Sequence, residues 1–241
     1  MTADASSPPN VLIIGTGLIG ASIGMALRES GVTVWLADTD TDACRLAASR
    51  GAGELFDSAK TPDIVVVAVP PHAVPDVAAR SLALYPDATV TDVASVKAAP
   101  LARLRGLTSD TARFVGGHPM AGREVSGPGG ARADLFEDRL WVITGNAGAE
   151  PRRVDDVRWL AKQCGSLIVE LDAAEHDRAV ALTSHTPQIL ASVLAAQLVS
   201  ADPSDVAVSG QGLRDATRLA DSGPDLWSQI IASNAPEIIA V

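Results

Sequence analysis

Gly15, Gly17 and Gly20 fall in the spacing Gly-x-Gly-x-x-Gly within Gly15-Thr16-Gly17-Leu18-Ile19-Gly20. The first glycine permits a tight turn, the second lets the backbone approach a pyrophosphate, and the third lets a helix pack close to a strand. The pyrophosphate would sit on the free N–H groups that open the helix, at Leu18 and Ile19, where the dipole is positive. Alone the pattern is weak. Here an apolar run, 11–15, precedes it, and Ile19, Ile23 and Leu27 repeat at helical spacing after it. Asp38 follows Gly20 by eighteen residues, close to the spacing of the acid that binds ribose hydroxyls. A carboxylate there repels a 2′-phosphate and accepts from a free 2′-hydroxyl, so the expected cofactor is NAD. Arg45 lies near enough to soften this, but on a helix it reads as solvated. Val69 and Pro70, ending the apolar run 64–69, are expected to border the same cofactor, and His72 just beyond could at most do likewise.

Four further segments carry polar groups at element ends or kinks. Ser95 and Lys97 lie in Thr91-Asp92-Val93-Ala94-Ser95-Val96-Lys97, where a strand should end, and ligands of open α/β sheets bind at such ends. A helix cap is an equally good reading of those two residues. His118 lies in Gly116-Gly117-His118-Pro119-Met120-Ala121-Gly122-Arg123-Glu124, which reads as a loop, and loops carry sites more often than cores. His185 precedes Pro187, which should kink a helix; a cleft and a satisfied interhelical histidine fit this equally. Arg214 and Arg218, four apart, share a helix face and would clamp a carboxylate, unless Asp215 merely compensates a solvated face. His176, between Glu175 and Asp177, reads as exposed. No spacing suits a metal.

These groups need a frame. Apolar runs at 11–15, 32–37, 64–69, 88–93 and 113–116 read as strands, with helices at 41–49 and 74–84. Gly31 stops the first helix. Two later strands, 140–144 and 166–171, flank a helix at 154–164. Beyond Glu175 no strand is expected; 179–200 (apart from Pro187), 212–220 and 224–232 read as helices. The expected fold is α/β: a Rossmann doubly wound, mostly parallel sheet over 10–172, then a smaller all-helical domain over 173–241. Residues 1–9 read as a disordered tail rather than a signal peptide.

Composition narrows the partners. The net charge of −10 and the 3% aromatic content argue against nucleic acid. No apolar run approaches the roughly 18 residues of a membrane span. Cys44 and Cys164 form no disulfide framework, which suits a cytoplasmic protein. A small-molecule substrate is expected.

Taken in order, VLIIGTGLIGASIG, TDVASVK, GGHPMAG, SHTPQ, GLRDATRLA and PDLW resemble the prephenate dehydrogenase family, which includes arogenate and cyclohexadienyl dehydrogenases. The resemblance runs from about Val11 to Trp227. It implies oxidation of a cyclohexadienol by NAD with loss of carbon dioxide, in tyrosine biosynthesis. It implies that His118 accepts a hydrogen bond from the ring hydroxyl as base, and that Ser95 helps hold both. It further implies that Arg218 binds the ring carboxylate with Arg214 beside it, that His185 lies near the substrate side chain, and that Glu124 sits at the pocket mouth. Arg123 stands where many members carry Thr. Family members usually continue through more helices that make a dimer, so the helical domain is expected to be truncated or short, and a homodimer is expected if it is complete. Prephenate is the expected substrate, because Arg123 adds a cation near the side-chain end, where arogenate carries an ammonium. Two rivals remain: a 3-hydroxy acid dehydrogenase, disfavoured because residues 163–241 hold no Lys, and a nonenzymatic NAD-binding regulator.

Overall fold

The structure, a computed structural model, describes residues 8–123, 125–145 and 147–241. Glu124 and most of the expected tail therefore lie outside the described residues. The chain opens β1 (Val11–Ile14), α1 (Leu18–Glu29), β2 (Val34–Ala37), α2 (Thr41–Ser49) and the short β3 (Glu54–Leu55). It continues β4 (Ile64–Val67), α3 (Val74–Leu84), β5 (Thr89–Asp92), α4 (Ala98–Leu107) and β6 (Phe114–Pro119). Then come β7 (Leu140–Gly145), α5 (Pro151–Gln163) and β8 (Leu167–Glu170).

The eight strands form one sheet in the order β3-β2-β1-β4-β5-β6-β7-β8. Every pairing is parallel except β6 with β7. β4 is Ile-Val-Val-Val and buried throughout, as a strand covered on both faces must be. Successive β1 side chains serve opposite layers. Val11 and Ile13 pack with Ile23 and Leu27 of α1 and Leu160 of α5, while Leu12 packs with Leu82 of α3 and Leu104 of α4. The chain leaves β1 toward β2, then returns to place β4 on the other side of β1. That reversal opens a crevice at the carboxyl ends of Ile14 and Val67, which are register partners.

Several expectations need correction. β6 extends to Pro119, so His118 stands on a buried strand and not on a loop. Its run of Gly-Gly-His-Pro has poor strand propensity. The glycines are there for close approach: a Cβ at Gly117 would lie 2.8 Å from the Asp92 carbonyl and 2.9 Å from Trp141 Nε1. α4 was not expected, because Pro100 and Gly106 interrupt its pattern.

No strand occurs among the described residues after β8. α6 (Ala173–Val180) starts earlier than the apolar pattern indicates, at a capping box in which Asp172 and Glu175 each accept from the other's backbone N–H. A π-helical turn, Ala181–His185, leads into α7 (Thr186–Leu198). The distortion expected at Pro187 takes the form of this π turn, which accommodates the missing donor within a continuous helix. The resulting 26-residue helix, Ala173–Leu198, is long and apolar enough by length and composition to cross a membrane, contrary to the reading of the sequence. It also carries His176, Asp177, His185 and Gln188 buried in the protein. Four shorter helices follow: α8 (Pro203–Ala207), α9 (Gln211–Thr217), α10 (Pro224–Ser233) and α11 (Ala235–Ala240), with a 3-10 turn, Arg218–Asp221, between α9 and α10.

α1 approaches the backbone near Ala52 so closely that a Cβ at Gly24 would collide with the Ala52 carbonyl. Gly24→Ala should therefore destabilise the protein by about 1–3 kcal/mol in chemical denaturation. An unchanged midpoint would show that α1 can shift without cost.

Candidate functional site

The glycine loop forms a cradle at the crevice. Gly15 adopts φ +102°, a conformation that L side chains rarely take. A Cβ at Gly15 would strike the Ala68 carbonyl and lie 3.2 Å from Val69, so the loop lies directly against the end of β4. A Cβ at Gly20 would strike the Gly15 carbonyl, whereas one at Gly17 would meet nothing within 4 Å. Open space therefore lies above Gly17, over a helix whose first turn has no side-chain cap. Leu18 and Ile19 flank it, half-buried. Uncapped amides beneath an open glycine suit a pyrophosphate, so the residues present fit a dinucleotide.

Asp38 ends β2 and holds this loop. Its Oδ2 accepts from Thr16 N at 2.6 Å and Thr16 Oγ1 at 2.8 Å, and its Oδ1 accepts from Asp40 N at 2.9 Å. Burial raises its pKa, but those bonds outweigh burial and hold it below the usual carboxylate value. Arg45 turns to Asp42 at 3.3 Å instead of to Asp38.

A second polar cluster lies two strands along, at the ends of β5 and β6. Lys97 is buried and donates to Asp92 and, at 2.7 Å, to the Gly117 carbonyl. Asp92 Oδ1 also accepts from Gly117 N at 3.3 Å. Burial lowers the Lys97 pKa, while the Asp92 and Asp177 carboxylates pull it back up. Beside this pair sits His118, 7% exposed. Its Nδ1 lies 2.8 Å from His176 Nε2, and His176 Nδ1 lies 2.7 Å from Asp177 Oδ1. The expectation that His176 is exposed is wrong: it is 0% exposed, because α6 turns its first apolar-facing position into the sheet edge.

Asp177 does more than hold His176. Its Oδ1 accepts from Lys97 N and its Oδ2 from Ala98 N, each at 2.9 Å. It thereby caps α4, which has no cap of its own, from across the chain. Burial raises its pKa, but the bonds from His176, Ala98 and Lys97 hold it below the ordinary value. His118 is pushed well below the ordinary histidine value, first by burial and then by His176, Lys97 and His185. It is neutral at neutral pH.

His185 is also buried, and Asn234 Nδ2 donates to its Nδ1 at 3.0 Å and to the Asp177 carbonyl at 2.8 Å. Its Nε2 has no hydrogen-bond partner, although the Ser95 backbone lies close by. Burial lowers its pKa to about 4. Trp227 stands edge-on to its ring at 6.0 Å. Ser95 is half-buried beside this group, and its hydroxyl is engaged by no described residue. Thus the structure brings His118, His185 and Ser95 together and adds Lys97, His176 and Asp177, which the reading of the sequence left out. Asp177 and His176 carry no signal in the sequence beyond adjacency; Lys97 reads equally as a cap or as part of a ligand-binding strand end.

The arginines stand apart. Arg214 and Arg218 line a hollow of about 430 Å³ between α7 and α9, and neither His118 nor Ser95 lines it. Gln188 ties the two regions by donating to the Leu219 carbonyl at 2.8 Å. Arg123 donates to the Gly130 carbonyl at 3.0 Å and lines another hollow, about 500 Å³, with Arg132 and Arg139. That hollow begins at Met120 and Ala121, just past His118 in the chain. Pro70 is exposed at the crevice, and His72 Nδ1 lies 2.6 Å from Gln229 Oε1 of α10.

The sequence pattern "Prephenate dehydrogenase, nucleotide-binding domain" matches residues 23–170, and "Prephenate dehydrogenase, dimerization domain" matches 172–241. A probable prephenate dehydrogenase, NovF, of Streptomyces niveus is 40% identical over 95% of this chain, which spans 63% of that protein's length. The Aquifex aeolicus prephenate dehydrogenase, solved with hydroxyphenyl propionate and NAD+, superposes with TM-score 0.88 at 29% identity, covering 98% of this chain and 86% of that one. Synechocystis arogenate dehydrogenase superposes with TM-score 0.80 at 28% identity, covering 96% of this chain and 86% of that one.

The buried histidines make stability depend on pH. An unfolded histidine takes up a proton near pH 6.5, His185 in the folded chain only near pH 4. Between those values the unfolded chain binds more protons, so stability is full above about pH 6.5 and falls as the pH drops toward 4. From pH 7 to 5 the loss at His185 should be roughly 1–2 kcal/mol. His185→Gln should unfold with a flatter pH dependence; an equally steep one would contradict the assignment.

Proposed function

The chain belongs to the prephenate dehydrogenase family, and on that premise we propose that it oxidises prephenate to 4-hydroxyphenylpyruvate and carbon dioxide with NAD, as a step of tyrosine biosynthesis. The observation that carries this is His118. It is buried and neutral at the carboxyl edge of the sheet, two strands (about 10 Å) from the β4 end of the glycine cradle. Its Nδ1 is engaged by His176, and its Nε2 is engaged by no described residue.

NAD bound on the cradle supplies a nicotinamide that takes the hydride from the ring carbon. The chain's own residues do the rest. Gly15, Gly17 and Gly20 give the pyrophosphate access to the α1 amides at Leu18 and Ile19. Asp38 keeps the loop in shape and has lone pairs left for ribose hydroxyls; Val69 and Pro70 wall the crevice. His118 Nε2 accepts the ring hydroxyl's hydrogen bond and takes its proton as the hydride departs. Ser95 holds the same hydroxyl. The carboxylate then leaves because its electrons restore aromaticity, and the proton returns from His118 to the phenolic oxygen. The exchange is balanced: the hydride leaves with the cofactor, and the proton comes back. Arg218, with Arg214, pairs with the ring carboxylate. His185 faces the side chain.

Arogenate is the second reading, since the arogenate dehydrogenase fold is so similar. Prephenate is favoured by the net positive lining of the hollow past the end of β6, where Arg123 and Arg139 stand beside the paired Arg132 and Asp134 and only Glu137 opposes them. The exposed apolar residues Leu190, Val193 and Leu194 on α7 support a homodimer through the helical part.

The test is NADH formation, followed by its near-ultraviolet absorbance, with each substrate separately. Turnover should be faster with prephenate; none with either, from a folded chain, would sink the reading. His118→Asn should lower kcat by about 10²–10⁴ with NAD affinity unchanged. Arg218→Gln should act chiefly on KM.

A further inference from the structure

We propose that Asp177 and His176 form a relay that sets the tautomer of His118 and holds the proton it removes from the substrate. This rests on the reading of His118 as base. The argument starts at the carboxylate. Asp177 is an acceptor only, so His176 Nδ1, 2.7 Å from Asp177 Oδ1, carries the hydrogen. His176 Nε2 is then a lone pair. It lies 2.8 Å from His118 Nδ1, which must donate. The lone pair of His118 is thereby left on Nε2, the nitrogen turned away from the relay. The opposite tautomer would leave two lone pairs facing each other between the rings, buried and unbonded.

The surroundings give the relay its second task. A proton resting on His118 alone would be disfavoured by every group packed round it. The Lys97 ammonium and His185 are near, Asp92 is already committed to Lys97, and the site is buried. His176, by contrast, touches a carboxylate directly. A proton arriving at His118 Nε2 from the ring hydroxyl can therefore push the Nδ1 proton across to His176 Nε2. The positive charge then lies against Asp177. When the ring aromatises the two transfers reverse, and the phenolic oxygen regains its proton. On the way out two N–H bonds form while one O–H and one N–H break; the return restores both, and no proton is gained or lost. Asp177 is fixed for this by the α4 amides of Lys97 and Ala98, and His176 by Asp177, so both are positioning residues whose effect reaches substrate through His118.

The experiment is His176→Gln, which keeps a polar side chain but cannot pass a proton through a ring. Single-turnover hydride transfer should fall about 100-fold or more, with KM and NAD affinity within a few-fold of the parent. The parent's rate in mixtures of light and heavy water should curve as two moving protons require, and the variant's should be linear. A His176→Gln rate within a few-fold of the parent, or equal curvature in both, would overturn the relay. Nitrogen-15 NMR of the unaltered chain is a check that needs no variant: His118 should carry its hydrogen on Nδ1, and a hydrogen on Nε2 would overturn the proposal. If the parent makes no NADH from either substrate, the proposed function has failed, while the tautomer measurement still judges the relay.

Discussion

The Asp177 carboxylate is the constraint on which the site depends. It stands on α6 yet satisfies the amides that open α4 and the ring of His176. A buried carboxylate is costly unless its lone pairs are filled, and here three donors fill them. Those donors come from the β5–α4 segment and from α6 itself. The sheet and the first helix of the C-terminal part are therefore joined by polar bonds that need an accurate fit, not by apolar contact alone. Removing one side of such an arrangement leaves buried donors unpaired, at about 1–3 kcal/mol for each.

The same logic explains the glycines of β6. A buried Lys97 needs acceptors, and the Asp92 carboxylate and the Gly117 carbonyl supply them. Room for the ammonium exists because positions 116 and 117 carry no side chain; a Cβ at Gly116 would lie 3.3 Å from Lys97 Cδ. The strand gives up intrinsic stability for this space, which the antiparallel pairing with β7 restores: His118 and Val142 are register partners there. The histidine is thus held by a ladder of backbone bonds on a paired strand.

Much of this frame was legible in residue order. The apolar runs and the glycine loop located β1, β2 and β4, because parallel strands covered on both faces must be apolar throughout. What was not legible depended on distant parts meeting. His176 reads as exposed because its neighbours in sequence are polar, while its neighbours in space are the ends of β5 and β6. The strand is read to stop at Gly116 and a loop to begin at Gly117, because propensity is local and the need for clearance is not. The π turn before Pro187 was unreadable for the same reason: a helix that is held at both ends by packing can widen by one residue instead of breaking.

The separation of Arg214 and Arg218 from His118 has a structural counterpart in the way the C-terminal helices are fastened. α6 is bonded to the start of α4 through Asp177, and α11 is bonded to α6 and the π turn through Asn234, which reaches the Asp177 carbonyl and His185. The turn carrying Arg218 is joined to α7 by Gln188, which donates to the Leu219 carbonyl, and α10 meets the segment after β4 at the surface through Gln229 and His72. Two kinds of fastening therefore divide the C-terminal helices: α6 and α11 meet the His118 side through buried polar bonds, while the turn carrying Arg218 packs among the helices themselves.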